Sequence, residues 1–303
     1  YNTVIKADEI TAVRGTQEGM AHLGMAILNP GDVVLLPDPG YPVFEAGSYL
    51  GGAEVYYYPL LRENNFLPVI EDIPEDVLNK TKYIVLSYPS NPVGASAPKE
   101  MYVRMIEYAK KYNFAIINDN AYSDIIFDGR EGFSFLSLPG AKDVGVEFFS
   151  LSKSYNVTGL RISFCIGNKS IIDAFKLLRS QYDFGMSYPA QKAAIAALRG
   201  PRDSVKAQCA EYQRRRDALL NGLRKYGWNV PDSHGTMFVW LPVPEGYTSA
   251  SFTEALMDKA GVIGTPGTAF GPLGEGYIRF ALTKSAEELA VIADVIGQSG
   301  VLS

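Results

Sequence analysis

The chain has 303 residues, of which 47% are hydrophobic and 20% are charged, and its formal net charge is -5. This composition is typical of a globular protein that can bury a sizeable core. It argues against nucleic-acid binding, because no stripe of Lys and Arg is present, and no apolar run approaches the ~18 residues that a membrane span needs. The densest basic cluster, Arg214, Arg215 and Arg216, lies in a polar helical stretch and predicts a solvated helix face.

The two cysteines, Cys165 and Cys209, are too few for a disulfide framework. They favour a reducing, cytoplasmic compartment, and the first ten residues show neither a secretion signal nor a transit peptide. Cys165 lies in the apolar run 162–166 and is predicted to be a buried, small hydrophobic residue. We expect no metal site.

The first two thirds of the chain alternate between strand-like and helix-like segments. The predicted strands are residues 10–13, 33–36, 53–58, 83–87, 114–118 and 146–151, and the predicted helices are 17–28 and 99–112. Such alternation predicts an α/β domain in which a mostly parallel central sheet lies between helices.

The pattern changes after Pro189. Residues 190–226 are mainly helical, and they are followed by predicted strands at 237–241 and 277–281 and by predicted helices at 251–260 and 285–296. These segments predict a smaller α+β domain. We place the large domain at residues 1–200 and the small C-terminal domain at residues 201–303.

The first candidate site motif lies between a predicted strand and a predicted helix. Gly15 permits a tight turn there, and Thr16 and Gln17 place backbone N–H groups at a helix N-terminus, where anions bind. A plain N-cap by Thr16 is the alternative. Neither GxGxxG nor GxxxxGK[ST] is present, so dinucleotide and P-loop sites lack support.

Two further motifs follow predicted strands of the sheet, where α/β proteins bind their ligands. Asn91, in the irregular loop YPSNPVG, can both donate and accept hydrogen bonds, although the loop is also explained as a structural turn. Asp119, in NDNAY, follows an apolar strand and needs a partner if it is buried. A protonated pyridine nitrogen is one candidate for that partner, and a helix cap is the commoner explanation.

The fourth motif, SLSKSYNVTGLR, contains a lysine directly after an apolar strand. Partial burial lowers the pKa of a lysine, which suits an amine that forms an imine, so Lys153 is the candidate nucleophile. Arg161 lies eight residues later and can bind a phosphate with two hydrogen bonds. Ser150 and Lys153 also match the S-x-x-K motif of β-lactamases, but its companion motifs S-D-N and K-T-G are absent.

Taken together, N-P-x-G, D-x-x-Y and S-x-S-K followed by G-x-R resemble class I/II pyridoxal-phosphate (PLP) aminotransferases of fold type I. Within that family, the segments GMAHLGMAILNPGDVVLLPDPGYPVF and SFLSLPGAKDVGVEFFSLSKSYNVTGLR look most like LL-diaminopimelate aminotransferases, which act in lysine biosynthesis. The resemblance spans nearly the whole chain and implies a PLP enzyme that moves amino groups between amino acids and 2-oxo acids.

The resemblance also implies roles for individual residues. Lys153 is expected to carry the cofactor as a Schiff base and to move the substrate proton, and Asp119 is expected to keep the ring nitrogen protonated. Tyr122 and Asn91 are expected to bind the phenolic oxygen, and Tyr41 to stack on the ring. The expected phosphate ligands are the amides of the Gly15 turn at Thr16 and Gln17, together with Ser150, Ser152 and Arg161. Arg279 matches the arginine that binds the substrate carboxylate, for which a planar guanidinium is well suited.

The resemblance is incomplete at three places. Family members carry a considerable segment before the Gly15 region, which contributes to the small domain and to the dimer, so we expect this chain to be a truncated or shortened form. Leu160 stands where many relatives have tryptophan, and Phe149 where diaminopimelate enzymes often have histidine. These two differences bear on the substrate more than on the reaction.

Three functions follow as expectations. The first is a homodimeric transaminase that takes LL-2,6-diaminopimelate and 2-oxoglutarate, with aspartate, alanine or a broad set of donors as the alternative. The second is a PLP-dependent β-lyase on the same fold. The third is a PLP-sensing domain without catalysis, which the absence of a basic helix-turn-helix and the presence of Arg279 argue against.

Overall fold

The computed structural model describes residues 1, 3–181, 183 and 185–302. Its strands are β1 (Ile10–Val13), β2 (Val33–Asp38), β3 (Glu54–Pro59), β4 (Thr81–Ser87), β5 (Ala115–Asp119), β6 (Gly145–Ser150), β7 (Ser163–Gly167), β8 (Phe238–Pro242), β9 (Thr265–Pro266) and β10 (Tyr277–Ala281). Its α-helices are α1 (Thr16–Ile27), α2 (Val43–Gly51), α3 (Glu75–Lys80), α4 (Lys99–Tyr112), α5 (Ala141–Val144), α6 (Leu151–Ser154), α7 (Lys169–Arg179), α8 (Tyr188–Arg199), α9 (Asp203–Lys225), α10 (Ser249–Ala260) and α11 (Ala286–Gln298).

In the described part of the chain, β1 to β7 form one sheet in the order β1-β7-β6-β5-β4-β2-β3. The strands β2, β3, β4, β5 and β6 all pair in parallel with their neighbours among these five. Strand β7 pairs antiparallel with both β6 and β1. The predicted α/β fold with a mostly parallel sheet is therefore confirmed. The antiparallel edge was not predicted, because the run around Cys165 indicated burial but not a strand.

Apolar side chains cover both faces of this sheet. On one face, α4 buries Tyr102, Met105, Ile106 and Ala109, whose helical spacing places them on one side of the helix. On the other face, α1 and α7 pack against Val34, Val85 and the fully buried Phe148. Strands that are covered on both faces read as continuous apolar runs, which explains why their positions were predictable.

The C-terminal part contains a second sheet of β8, β10 and β9, and all of its pairings are antiparallel. One face of this sheet packs on α9, α10 and α11 around Leu219, Phe252 and Ile296. This arrangement confirms a smaller α+β unit beside the large sheet. The domain boundary at residue 200 stays a prediction.

The basic cluster on α9 is partly different from the prediction. Arg216 is buried, and its guanidinium forms two hydrogen bonds with Asp128, of 2.7 and 2.9 Å. The expectation of a solvated face was therefore wrong for Arg216, because a partner 88 residues away compensates the buried charge.

Within the described ranges, no helix is both long enough and apolar enough to cross a membrane.

Candidate active site

The parallel strands β4, β5 and β6 end at the same edge of the sheet, at Ser87, Asp119 and Ser150. A cavity of about 260 Å³ lies beyond this edge, as expected for ligand sites in such sheets. All twelve residues predicted for the site line it: Gly15, Thr16, Gln17, Tyr41, Asn91, Asp119, Tyr122, Ser150, Ser152, Lys153, Arg161 and Arg279. The structure thus brings together residues that are up to 264 positions apart.

One end of the cavity is suited to an anion. Gly15 is the N-cap of α1 and has no side chain to cap it, so the first amide groups of the helix face the cavity without a competing side-chain acceptor. The guanidinium of Arg161 lies against Gly15, and its Nη1 donates to the carbonyl of Thr158 at 3.0 Å. The Ser152 hydroxyl is buried and makes no hydrogen bond to any described residue. An anion bound here would contact the Arg161 guanidinium, the first amides of α1 and the unpaired hydroxyl of Ser152.

Lys153 lies on the short helix α6, directly after β6. The hydroxyl of Ser150 accepts the Ser152 amide at 3.2 Å, and this cap turns the chain so that Lys153 faces the cavity. Desolvation lowers the pKa of Lys153, and the nearby positive charge of Arg161 lowers it further, whereas Asp119 opposes the shift. The Lys153 amine therefore loses its proton more readily than the amine of an exposed lysine does.

Asp119 is the last residue of β5 and is buried. Desolvation raises its pKa to about 6, although an amide hydrogen bond from Ala121 at 3.3 Å and the charge of Lys153 both act in the opposite direction. Burial also raises the pKa of Tyr122, so its hydroxyl stays protonated and can donate a hydrogen bond. The nitrogen of Lys153 lies 5.8 Å from the centre of the Tyr122 ring. A buried carboxylate with a raised pKa is best stabilised by a cationic partner.

Arg279, on β10, also lines the cavity. Its Nη1 donates to Asn91 Oδ1 at 2.8 Å, and its Cζ lies 4.1 and 4.5 Å from the ring centres of Phe238 and Phe270. Desolvation lowers the pKa of Arg279, and Nε is buried without a hydrogen-bond partner among the described residues. The guanidinium is held in place between two rings, and it retains free donors for a carboxylate.

The sequence missed several residues around the site. Ala121, Thr158 and Phe238 also line the cavity, and Phe270 packs on Arg279 without lining it. Ala121 and Thr158 stand in motifs that the sequence had already singled out, so their positions carried a signal, whereas Phe238 was predicted only as part of a strand. Trp240, on β8, is buried outside the cavity lining and stacks on Tyr277. Among the described residues, no cluster of His, Cys, Asp and Glu could hold a metal ion.

The comparisons with known proteins agree with this geometry. The family model "Aminotransferase class I and II" matches residues 1–296. The chain belongs to the class I and II aminotransferases. An LL-diaminopimelate aminotransferase from Dehalococcoides mccartyi is 50% identical over 281 residues, which cover 93% of this chain and 72% of the relative.

Solved structures of other proteins superpose closely on this chain. Substrate-bound BacF from Bacillus subtilis has a TM-score of 0.96 at 35% identity, covering 99% of this chain and 77% of BacF. An aminotransferase from Staphylococcus aureus has a TM-score of 0.95 at 34% identity, covering 100% of this chain and 81% of the other. The protein is thus a PLP-dependent aminotransferase that acts on amino acids and 2-oxo acids.

The cavity of this aminotransferase fits PLP. The anion end, with its unpaired Ser152 hydroxyl and the side-chain-free turn at Gly15, suits a phosphate group. The buried carboxylate of Asp119 suits a protonated pyridine nitrogen, and Lys153 provides an amine of lowered pKa. The buried Asp119 carboxylate and the unpaired Ser152 hydroxyl carry a desolvation cost that a pyridinium and a phosphate would offset.

Proposed function

We propose that this aminotransferase moves an amino group from LL-2,6-diaminopimelate to 2-oxoglutarate. The observation that carries the choice of donor is the identity of 50% over 93% of the chain with an enzyme named for that substrate. Seven further relatives with the same name are 42–47% identical to the chain. The site residues below are proposed on the geometry of the cavity.

Lys153 forms the covalent link to the cofactor and later acts as the base. When bound, PLP supplies an aldehyde that accepts an amino group and a protonated ring that withdraws electrons from the substrate Cα. As a free amine, Lys153 would take the proton from the substrate Cα and deliver it to the former aldehyde carbon of the cofactor, and it would carry a proton in the opposite direction in the second half-reaction. Because its pKa is lowered, the Lys153 amine is unprotonated, and so able to accept a proton, at a lower pH than the amine of an exposed lysine.

Asp119 holds the proton on the ring nitrogen, since an ionised carboxylate in a buried site stabilises a neighbouring cation. Tyr122 donates a hydrogen bond to the phenolic oxygen, and Asn91 supports the same oxygen while it accepts from Arg279. Tyr41 would stack on the ring. These residues would hold the ring in place, and proton transfer would be left to Lys153.

The phosphate is held by the anion end of the cavity. The ligands that we propose there are the α1 amides of Thr16 and Gln17 after Gly15, with Ser150, Ser152 and Arg161. The substrate carboxylate binds the free donors of Arg279, which is preorganised by Phe238 and Phe270. With the phosphate and the carboxylate anchored by different residues, the reacting atoms would lie near Lys153, which lines the same cavity.

We also propose a homodimer. Arg161 and Leu160 are exposed beside the cavity, so one side of the anion end is open to solvent in the single chain. Helix α8 presents Tyr188, Ile195 and Leu198 to solvent, and contiguous exposed apolar side chains are typical of protein interfaces. A second copy that covers this region would close the site.

A panel of donors tests the function. The purified holoenzyme, incubated with 2-oxoglutarate and one amino acid at a time, should form glutamate fastest with LL-2,6-diaminopimelate. A higher kcat/KM with aspartate or alanine would show that one of these is the preferred donor, and the protein would still be a transaminase. Pyruvate and ammonia in place of glutamate would indicate a β-lyase, and cofactor binding without turnover would indicate a sensing domain.

A further inference from the structure

A buried carboxylate outside the cavity ties the large sheet to the loop beside Arg279. Asp38 is the last residue of β2, and its Oδ1 accepts the amide hydrogen of Leu273 at 3.1 Å. Its carboxylate also lies against Gly271, where an added Cβ would be 2.2 Å from Oδ1. This contact joins positions 235 residues apart in the chain.

The next turn of the chain makes a second tie to the same loop. The amide of Gly40 donates to the carbonyl of Phe270 at 2.7 Å. Tyr41, proposed to stack on the cofactor ring, follows directly and lines the active-site cavity. The turn after β2 therefore holds both the loop at residues 270–273 and one wall of the site.

Phe270 transmits the position of this loop to Arg279. Its ring lies 4.5 Å from the Arg279 guanidinium and packs edge-on against Trp240, with ring centres 5.8 Å apart. The Arg279 side chain makes one hydrogen bond to a described residue, the bond to Asn91, so ring contacts determine much of its orientation. A shift of Phe270 would therefore turn the guanidinium away from a bound carboxylate.

We propose that Asp38 is a positioning residue for substrate binding, which fixes the loop at residues 270–273 and, through Phe270, the guanidinium of Arg279. This inference rests on the proposed role of Arg279 as the carboxylate ligand. Loss of the Asp38 hydrogen bond leaves the Gly40–Phe270 bond as the remaining tie, so the loop is loosened rather than released. Small displacements of a binding group strongly weaken a preorganised site.

The test uses the holoenzyme and glutarate, an unreactive dicarboxylate. Asp38→Ala should raise the dissociation constant of glutarate and the KM for 2-oxoglutarate about tenfold. The kcat, the cofactor absorbance and the affinity for PLP should stay within about twofold, because Lys153 and the anion end are untouched. Asp38→Asn should restore the binding of glutarate, since its amide oxygen can still accept the Leu273 hydrogen.

Two controls make the result specific. Glu45→Ala removes a neighbouring acid that bonds to Tyr57 and not to the loop, and it should leave glutarate binding unchanged. Gly271→Ala disturbs the same contact from the other side, because its methyl group would lie against the Asp38 carboxylate. It should weaken glutarate binding as Asp38→Ala does, and it replaces Asp38→Ala in the test if Asp38→Ala folds poorly.

The outcomes separate this inference from the proposed function. If Arg279→Gln abolishes glutarate binding but folded Asp38→Ala and Gly271→Ala bind it normally, the role of Asp38 is refuted. A general loss of kcat and cofactor binding in Asp38→Ala, without rescue by Asp38→Asn, would also refute it. If Arg279→Gln itself binds glutarate normally, the proposed substrate site is wrong.

Discussion

The Nη2 atom of Arg161 lies where the Cβ of any larger residue at position 15 would be, since an added Cβ would be only 2.0 Å from it. Gly15 also has φ +95° and ψ 151°, a conformation that is essentially restricted to glycine. The two residues therefore form a single unit, in which the missing side chain makes room for a cation at the start of α1.

We predict that Gly15→Ala weakens PLP binding at least tenfold. The methyl group strains the turn and displaces the Arg161 guanidinium, so a phosphate loses a cation and aligned amides together. The measurement is the dissociation constant of PLP compared with pyridoxal, which lacks the phosphate and should be affected much less. Gly159→Ala is the matched control, because no atom lies within 4 Å of its added Cβ. Equal losses for both ligands would show that the anion end lies elsewhere.

A second prediction concerns the reactivity of Lys153 in the apoenzyme. Its lowered pKa means that the amine becomes neutral at a lower pH than exposed lysines do, so acetic anhydride should label it at a lower midpoint pH. Asp119→Asn removes a charge that raises the pKa and should lower the midpoint further, whereas Arg161→Gln should raise it. Mass spectrometry of the labelled peptides gives the midpoint in each protein, with a short lysine-containing peptide labelled in the same reaction as the reference. A midpoint equal to that of the reference peptide would contradict the electrostatic argument.

Much of the site was predictable because its residues obey a local rule. Asn91, Asp119 and Lys153 each lie at or just beyond the end of an apolar strand, and parallel strands bring their carboxyl ends to one edge. The sequence could place these residues without knowing the order of the strands. The ends of the predicted strands and helices differ from the structure by only a few residues for the same reason, since apolar spacing marks them directly.

The residues that were missed depend on distant partners. Asp38 gave no signal, because its role arises from Leu273, and Arg216 was placed at the surface, because Asp128 is far away in the sequence. Strand β7 was missed since a five-residue apolar run fits several structures until its antiparallel neighbours are known. Tertiary contacts of this kind cannot be read from local patterns.

A third prediction concerns Glu147, which is fully buried on β6 away from the cavity. It accepts hydrogen bonds from Ser134, Asn118 and the amide of Phe135, yet desolvation still raises its pKa to about 7. A carboxyl whose pKa is higher in the folded state stabilises the fold while protonated, and that contribution is lost as the pH rises from about 4.5 to about 7.

The stability of the wild-type protein should therefore fall between about pH 4.5 and about pH 7 relative to that of Glu147→Gln, which cannot ionise. The expected change in the difference is of the order of 3 kcal/mol, at about 1.36 kcal/mol for each unit of pKa. Urea unfolding of both proteins across this range measures it, and Glu107→Gln, on the exposed side of α4, is the control. A constant difference between wild type and Glu147→Gln would mean that Glu147 does not titrate in this interval.

The last prediction concerns the proposed dimer. Tyr188, Ile195 and Leu198 follow one another at intervals of seven and three residues, which places them on one face of α8, and 67%, 44% and 54% of their surfaces are exposed. A single exposed apolar side chain is common on protein surfaces, but three large ones on the same helical face form a patch whose burial against another protein is favourable. Leu198→Glu should therefore shift sedimentation from dimer to monomer and reduce turnover, because the open side of the anion end near Arg161 would stay unprotected. Val291→Glu, at a 61% exposed position on α11, should change neither property. A wild-type protein that sediments as a monomer at micromolar concentration with full activity would disprove both the dimer and its role in closing the site.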